Sequence, residues 1–323
     1  MIPLDKLGEY TEGIERINIE FSVANKLQLC ARLAGLFSGE LPVLNLPTDY
    51  PRPALQSFRG RELSFTAAAD RLEALQAFCR VRNASLFMAL HAVLKVLLFA
   101  YTRQEDIIVG CPIAGRDHVD LADQVGCYLN TLALRSRIDP KASFETFFGE
   151  VAQLTRESFD HQIYPFDQLV QELSVTRDLS RSALFDVMLI LQNQNEPGLC
   201  MGGIEARPVF EHPKTSKFDL TFSFKVTPSG LILGIEYSTD LFCEQRIRRM
   251  GGHFLELIDN ILADPGESVG RLDLLPERER RQLLHDFNQT TAPYPRELTV
   301  ADLLEKAAAQ TPDAVALVCG QRQ

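Results

Sequence analysis

Hydrophobic and polar positions alternate along the chain in two periods, which predict a mixture of helices and strands. Residues 184–193 are apolar at nearly every position, which is typical of a strand covered on both faces. From Phe218 to Val226 every second residue is apolar and points one way, and the turn and apolar run that follow predict a hairpin. Apolar residues three and four positions apart predict helices over 143–159 and 244–263. The irregular order of these elements favours an α/β (α+β) fold, in which a mixed β-sheet is flanked by helices mainly on one face.

The longest apolar run, residues 85–102, predicts a buried core helix rather than a membrane span. His91 and Lys95 interrupt the run, and a spanning helix needs about 20 largely uncharged residues. Ser85 is a suitable N-cap for a helix at this position. Upstream, residues 41–53 contain four prolines, so this segment is predicted to be an extended connector.

The two ends of the chain differ in character from its middle. Residues 1–37 predict a helical or irregular lead-in, with a helical stretch near 24–36. Residues 266–298 are charged and spaced by prolines, which is typical of a linker. Residues 299–323 begin a new helix and strand, and a unit that small is expected to be docked or frayed because it cannot bury a core.

Charge and cysteine content limit the partners and the compartment. Lys and Arg number 33 against 43 Asp and Glu, which gives a formal net charge of -10. Nucleic acid requires a concentrated basic footprint, so we expect no such partner. The seven cysteines form no CxxC pair, which is typical of reduced thiols in the core of a cytosolic protein. The first residues lack the apolar stretch of a signal peptide, so we expect a cytoplasmic location and no membrane partner.

Candidate chemistry is confined to three polar segments that interrupt the core elements. In the first, residues 125–135, Asn130 and Thr131 are the polar pair in an otherwise strand-like run. Buried amide and hydroxyl groups must be hydrogen-bonded, so this pair either pins a neighbouring loop or lines a channel. In the second, residues 161–169, His161 could act as a general base or serve as a hydrogen-bonded structural residue, and Pro165 suits the first turn of a helix.

The third segment, "RDLSRSALF" at residues 177–185, places two arginines and an aspartate just before a buried strand. Charges at such a place must be paired and hydrogen-bonded. We therefore expect Arg177, Asp178 and Arg181 to form a mutual network that fixes the entry to the strand. No phosphate-binding loop, GxSxG or GxGxxG motif occurs, and no histidines have metal-ligand spacing, so we predict no directly bound cofactor and no metal.

Taken together, the three segments resemble the last three core motifs of the condensation domains of nonribosomal peptide synthetases. "VGCYLNTLALR" resembles the family's Gly-x-Phe-Val-Asn-Thr motif, "HQIYPFDQL" its His-Gln-Asp-x-Pro-Phe motif and "RDLSRSALF" its Arg-Asp-x-Ser-Arg-Asn-Pro-Leu motif. The departures are Cys127, Ile163 and the pair Ser182–Ala183. The resemblance implies substrate-tunnel residues at Gly126, Tyr128, Asn130 and Thr131. It implies motif or structural roles for His161, Gln162, Pro165, Phe166, Arg177, Asp178, Ser180 and Arg181.

The resemblance also implies a lobe and its partners. Residues 38–265 would be the C-terminal lobe of a fold like chloramphenicol acetyltransferase, and residues 299–323 the first part of an adenylation domain. The loop 115–124 and residues 125–131 would form a tunnel floor, and residues 192–218 would include a crossover to the other lobe. The expected partners are that N-terminal lobe, the adenylation domain and the peptidyl or aminoacyl carrier proteins, whose phosphopantetheine arm carries the substrate.

The family's His-His-x-x-x-Asp-Gly motif, whose second histidine is held to assist the reaction, does not occur in these residues. We therefore expect no catalytic residue in this chain and no activity from the chain alone. Two alternatives remain open: a non-catalytic docking lobe, and an acyltransferase that uses coenzyme A with His161 as its base.

Overall fold

A computed structural model of the chain describes residues 36–116, 119–121, 125–175, 178–192, 200–201, 204–205, 214–293 and 295–315. The predicted helix at 24–36 therefore lies almost wholly outside the described residues. By its internal contacts the chain divides into two compact units, Met1–Pro276 and Glu277–Gln323. The domain boundaries given above remain predictions.

The first unit contains most of the regular structure. Its helices and strands, in chain order, are β1 Gly60–Ala68, α1 Ala69–Val81, α2 Leu86–Thr102, β2 Asp106–Ile113, β3 Asn130–Arg137, α3 Phe144–Asp160, α4 Phe166–Glu172, β4 Val187–Gln192, β5 Cys200–Met201, β6 Ile204–Glu205, β7 Leu220–Thr227, β8 Gly230–Ser238 and α5 Glu244–Ala263. Short 3₁₀ turns lie at Val119–Leu121 and Val269–Arg271.

Six of the strands form one mixed sheet in the order β1-β8-β7-β4-β2-β3, and β5 and β6 form a separate two-stranded ladder. Strand β4 pairs in parallel with β2 and β7, and the remaining pairs of the large sheet are antiparallel. The predicted mixed sheet and the β7–β8 hairpin are both confirmed. Gly230 opens β8 at φ +131°, a conformation that side chains rarely adopt, and a Cβ there would lie 2.1 Å from the carbonyl oxygen of Ala67.

The main core lies between one face of the sheet and helices α1, α2, α3 and α5. Val187 and Leu189 of β4 belong to this core, whereas Met188 faces a smaller cluster on the other side of the sheet. That second cluster also contains Phe185 and Leu169, the latter from α4. Strand β4 is therefore covered on both faces, as its unbroken apolar sequence predicts.

The predicted apolar face of β7 is correct only in its middle. Leu220, Phe222 and Phe224 are buried in the main core. Phe218 precedes the strand and packs instead against the second cluster, with its ring centroid 5.4 Å from that of Phe185. Val226, close to the hairpin turn, is 42% exposed.

Helix α2 is the buried core helix that its sequence predicts, and Ser85 caps its N-terminus by accepting the amide of Met88. Lys95 in its middle is fully buried. Its ammonium group donates to the carbonyl oxygens of Ile107 and Leu134, at 3.2 and 2.8 Å, and to the hydroxyl of Ser136 at 2.7 Å. Three donors therefore meet three acceptors, which is the condition for burying such a group.

The length and hydropathy of the described helices can be compared with the thickness of a bilayer. No single described helix is long and apolar enough to cross a membrane. Taken together, α1 and α2 have the length and composition of a membrane span, but the two helices are bent by 105° at their junction.

The described cysteines include both buried and exposed thiols. Cys79 and Cys111 are buried and free, and burial raises the pKa of these thiols to about 11 and about 12. Cys127 is exposed and Cys243 half-buried. The prediction of core thiols is therefore correct for the first two and wrong for Cys127, because that residue lies in a surface loop.

The second unit contains helices α6 Glu277–Leu284 and α7 Val300–Gln310, with a 3₁₀ turn at Asp286–Asn288. Thr299 and Asp302 form a capping box at the start of α7. None of the described residues of this unit is buried. Helix α6 lies within the segment predicted to be a linker, and most of the strand predicted after α7 falls outside the described residues.

Candidate functional site

Asn130, the first residue of β3, joins the first polar segment to the second. Its Nδ2 donates to the carbonyl oxygens of Gln162 and Tyr164, each at 2.8 Å, and its Oδ1 accepts the amide of Phe166 at 3.0 Å. One side-chain amide thus satisfies three backbone groups in the turn between α3 and α4. Asn130 therefore pins the neighbouring loop, and its role in lining a channel stays a prediction.

The turn held by Asn130 contains both buried and exposed side chains of the second segment. His161 ends α3 and Pro165 is the N-cap of α4, one residue before the helical position predicted for it. Tyr164 is buried, while Ile163, which stands where the family motif has an acid, is 68% exposed. Thr131, the neighbour of Asn130 in β3, is half-buried.

The ring of His161 has no hydrogen-bond partner within the described part of the chain. Its backbone amide bonds to Ser158, as expected at a helix end. A histidine that acts as a general base is typically oriented by a further hydrogen-bonded group. Neither the structural bond predicted for this side chain nor a base-like arrangement is found among the described residues.

The loop between β2 and β3 is organised by Arg116, a residue that the sequence analysis missed. Its guanidinium donates to the carbonyl oxygens of Leu121 and Gly126, the latter at 3.0 Å, and lies over the ring of Tyr128 at 4.7 Å. Gly115 has φ +62°, and a Cβ there would lie 2.0 Å from the carbonyl oxygen of Tyr128. Gly126 and Tyr128, two of the implied tunnel residues, are therefore held by a single arginine.

The first segment enters the sheet later than its sequence suggested. Strand β3 begins at Asn130, so residues 125–129 belong to the loop. Val125 and Leu129 are exposed, which shows that their apolar character does not reflect strand burial. Residues 117, 118 and 122–124 of the predicted tunnel floor lie outside the described residues, as does most of the predicted crossover at 192–218.

Arg181 of the third segment pairs with Asp186, the residue just before β4, rather than with Asp178 of its own segment. Nη1 of Arg181 donates to Oδ2 of Asp186 at 2.9 Å and to the carbonyl oxygen of Leu44 at 3.1 Å. Asp178 is exposed and caps the turn, where its Oδ1 accepts the amide of Ser180 at 2.8 Å. The predicted pairing of Arg181 with Asp178 is therefore wrong, because Asp186, the residue just before β4, supplies a buried carboxylate five residues further on. Arg177 lies outside the described residues.

A second ion pair lies beside the first and fixes the connector, residues 41–53. Arg52 donates through both terminal nitrogens to Asp219, with Nη1 to Oδ1 at 3.0 Å, and also to the carbonyl oxygen of Ser180 at 3.0 Å. Burial, reinforced by the nearby carboxylate of Asp219, raises the pKa of Asp186 to about 6, against the opposing effect of Arg181. Both pairs therefore tie the third segment to distant parts of the chain.

The start of the described chain is held by Arg135, near the end of β3. Its guanidinium pairs with Asp106 and also donates to the carbonyl oxygens of Leu36, Ser38 and Glu40 at 3.0 to 3.3 Å. The side chain is almost fully buried. A single arginine thus ties residues 36–40, the first described stretch, to the end of β3.

A pocket of about 220 Å³ lies between the connector, the start of β2 and the third segment. Its lining combines apolar side chains with Asp106, Asp178, Arg181, Ser182 and Asp186. Among the residues that the structure describes, no group of three or more His, Cys, Asp or Glu side chains is placed to hold a metal ion.

Comparison with protein families and curated sequences gives consistent matches. The model of the condensation domain matches residues 34–284. Tyrocidine synthase 3 of Brevibacillus parabrevis is 43% identical over 282 residues, which cover 87% of this chain and 4% of that protein. Gramicidin S synthase 2 of Brevibacillus brevis is 39% identical over 282 residues, or 87% of this chain and 6% of that protein. The chain therefore spans only a small part of the curated relatives that it matches.

Solved structures share the fold at low sequence identity. A four-domain nonribosomal peptide synthetase, holo-AB3403 bound to AMP and glycine, superposes with a TM-score of 0.73 at 21% identity, over 80% of this chain and 21% of that one. The X-domain from teicoplanin biosynthesis superposes with a TM-score of 0.74 at 19% identity, over 82% of this chain and 61% of that one. The predicted fold class, a mixed sheet flanked by helices as in chloramphenicol acetyltransferase, is confirmed.

Proposed function

The chain belongs to the condensation-domain family of nonribosomal peptide synthetases, and we propose that it contributes the C-terminal lobe to such a domain. The observation that carries this proposal is the clamp at Asn130, which joins two of the three motif segments through three backbone hydrogen bonds. The third segment is fixed separately, through Arg181 and Asp186. The motif residues therefore act mainly as a framework that positions the floor of a substrate tunnel.

The proposed reaction is peptide-bond formation between two carrier-bound groups. The amine of an acceptor aminoacyl thioester attacks the carbonyl carbon of a donor aminoacyl or peptidyl thioester. The new C–N bond forms as the C–S bond breaks, the nitrogen loses a proton, and the donor's phosphopantetheine leaves as the thiol. The proposed partners are accordingly aminoacyl or peptidyl carrier proteins and an adjoining adenylation domain, and the proposed location is the cytoplasm.

These 323 residues contain no His-His-x-x-x-Asp-Gly motif, and the proposal assigns proton transfer to an N-terminal lobe. A positioned base typically contributes about 10²–10⁴ in rate, and the alignment of two substrates contributes several kcal/mol more. We therefore propose that the chain is inert by itself. His161 has no group to orient its ring in the described part of the chain, which supports this assignment.

The test is a condensation assay with donor and acceptor carrier proteins loaded with amino acids. By mass spectrometry, the chain alone is expected to give no dipeptidyl thioester, and addition of a separately expressed N-terminal lobe is expected to restore product. His161→Ala should leave the restored rate within a few-fold of wild type. If the chain alone turns over and loses that activity in His161→Ala, the acyltransferase hypothesis replaces this one. If the lobes associate without any product, the docking hypothesis replaces it.

A further inference from the structure

The loop between β2 and β3 is longer than the pairing of these two strands requires. Strand β2 ends at Ile113 and β3 begins at Asn130, and the two strands are antiparallel neighbours in the sheet. Antiparallel neighbours are commonly joined by about two to five residues, and much longer loops in compact domains are usually functional. The additional residues of this loop therefore indicate a role beyond joining the strands.

Burial of apolar side chains contributes little to the order of this loop. Val125 and Leu129 are exposed, as are Gly126 and Cys127, whereas Tyr128 is half-buried. A loop with few buried apolar contacts opens at a low cost in free energy unless other interactions hold it. The conformation of this loop therefore depends on polar groups.

Arg116 supplies such polar interactions, and its guanidinium acts in three directions at once. Nη1 donates to the carbonyl oxygen of Leu121 and Nη2 to that of Gly126 at 3.0 Å, while Cζ lies 4.7 Å from the ring centroid of Tyr128. A planar guanidinium can donate to separate acceptors and lie on an aromatic face, whereas an ammonium group is a compact point charge. A lysine at this position could therefore not make all three contacts.

The backbone of two glycines also approaches Tyr128. A Cβ at Gly126 would lie 3.1 Å from Cε2 of the Tyr128 ring, and one at Gly115 would lie 2.0 Å from the Tyr128 carbonyl oxygen. Two residues further on, Asn130 anchors the start of β3 to the turn before α4. Of these contacts, the one from the guanidinium of Arg116 can be removed by substitution without altering the backbone around Tyr128.

We propose that Arg116 is a positioning residue for the condensation reaction, which fixes the orientation of Tyr128 at the floor of the substrate tunnel without contacting the substrates. The proposal rests on the proposed function for the reaction and for the tunnel. When Arg116 is lost, the loop opens and the two carrier-bound groups are aligned less often. A displacement of about 1 Å can lower a rate about 10²-fold. An interaction that serves only alignment is lost from kcat and leaves KM unchanged.

The functional test uses the intact chain mixed with a separately expressed N-terminal lobe and with loaded donor and acceptor carrier proteins. Arg116→Gln is expected to lower kcat for the dipeptidyl thioester about 10- to 100-fold and to leave KM for the acceptor carrier within about threefold. Arg116→Lys, which keeps the charge, should lower kcat by a similar factor. Tyr128→Leu and the double variant Arg116→Gln/Tyr128→Leu should have equal rates, because Arg116 acts through Tyr128.

The structural test needs no turnover and uses the intact chain alone. Chymotrypsin cleavage after Tyr128, followed by mass spectrometry, should be about tenfold faster in Arg116→Gln than in wild type, because cleavage requires the loop to open. Arg103→Gln is the matched control, since Arg103 also lies over an aromatic ring, that of Phe99 at 5.8 Å, but is outside the loop. It should leave both kcat and the cleavage after Tyr128 unchanged.

The proposal is wrong if kcat of Arg116→Gln stays within about twofold of wild type, if Arg116→Lys restores the wild-type rate, or if the control loses as much. It is also wrong if the double variant is slower than Tyr128→Leu by the full factor of Arg116→Gln, since Arg116 would then act independently of Tyr128. Should Arg116→Gln fail to fold, Arg116→Lys is judged by the same criteria. Each of these results requires product from the wild-type lobes, whereas absence of product from wild type refutes the proposed function and this proposal with it.

Discussion

Asn130 and Phe166 are joined by a hydrogen bond of 3.0 Å from the backbone amide of Phe166 to the side-chain oxygen of Asn130, across 36 positions of sequence. The bond places the first turn of α4 against the first residue of β3. The same side chain donates two further bonds to the turn before α4. The first and second segments therefore form one structural unit, and a substitution that disturbs either segment should destabilise both.

The first prediction concerns the donors of this clamp. Asn130→Asp keeps an acceptor for the amide of Phe166 but replaces two donated bonds with repulsion between a carboxylate and two carbonyl oxygens. We expect the free energy of unfolding to fall by about 1–3 kcal/mol, the cost of leaving buried polar groups unsatisfied. Urea denaturation of the chain measures it.

Thr131→Val is the matched control for the clamp, since it changes the next residue of the same strand, whose hydroxyl makes no hydrogen bond to the described residues. Its effect should stay within about 0.5 kcal/mol. Equal losses in the two variants would mean that β3 is simply intolerant of substitution here, and the clamp would not be the cause.

The sequence predicts the helices and strands of this chain much better than it predicts which side chains pair with each other. The spacing of apolar positions is sufficient to predict the β7–β8 hairpin, because the alternation of buried and exposed residues in a strand appears in consecutive positions of the sequence. Arg52 and Asp219 lie 167 positions apart. Their pairing depends on the path of the connector in the folded chain, and no pattern of neighbouring residues predicts that path. The same holds for Arg116 over Tyr128, and for the choice of Asp186 rather than Asp178 as the partner of Arg181.

The second prediction separates a buried ion pair from an exposed one. Arg181→Met would leave Asp186 buried without its partner, which costs about 3–5 kcal/mol of unfolding free energy. The double variant with Asp186→Asn should recover part of that loss, because no unpaired charge remains. Arg59→Met is the control, since Arg59 pairs with Asp240 while 74% exposed, and its loss should stay below about 1 kcal/mol. Urea denaturation of wild type and the three variants gives the four free energies of unfolding. A double variant that is no more stable than Arg181→Met would contradict the argument.

Two adjacent glycines in α5 allow a third prediction. A Cβ at Gly251 would lie 2.3 Å from the ring of Phe65 in β1, whereas one at Gly252 would meet nothing closer than 4.0 Å. Gly251→Ala should therefore force the sheet and helix apart and cost about 1–3 kcal/mol. Gly252→Ala should stabilise the chain by about 0.5–1 kcal/mol, because alanine has the higher helix propensity. Thermal denaturation compares them, and a shift of the same sign in both would refute the packing explanation.

The fourth prediction is a dependence of stability on pH at Asp49. Its carboxylate accepts from Nε of Arg246 at 2.8 Å and from the amide of Cys243 at 2.9 Å. The bond from Arg246 lowers the pKa of Asp49 from 3.8 to about 2. A carboxyl whose pKa is lower in the folded state contributes stability that is fully present above the ordinary value and is lost as the pH falls through the folded value. Asp49→Asn should therefore be less stable than wild type at pH 7, and the difference, followed by urea denaturation, should shrink below pH 4.

Asp186 should show the opposite slope, which makes the two aspartates a matched pair for the last prediction. Its pKa is raised from 3.8 to about 6 by burial, so between these values the folded chain holds a proton that the unfolded chain has released. Stability from this group therefore falls as the pH rises through that window. Measured against Asp186→Asn by urea denaturation, wild type should lose relative stability from pH 4 to pH 6, where the Asp49→Asn difference is nearly constant. If the stability of wild type relative to Asp186→Asn instead stays constant or rises over that range, the carboxyl of Asp186 is held ionised by its arginines, and burial does not govern its protonation.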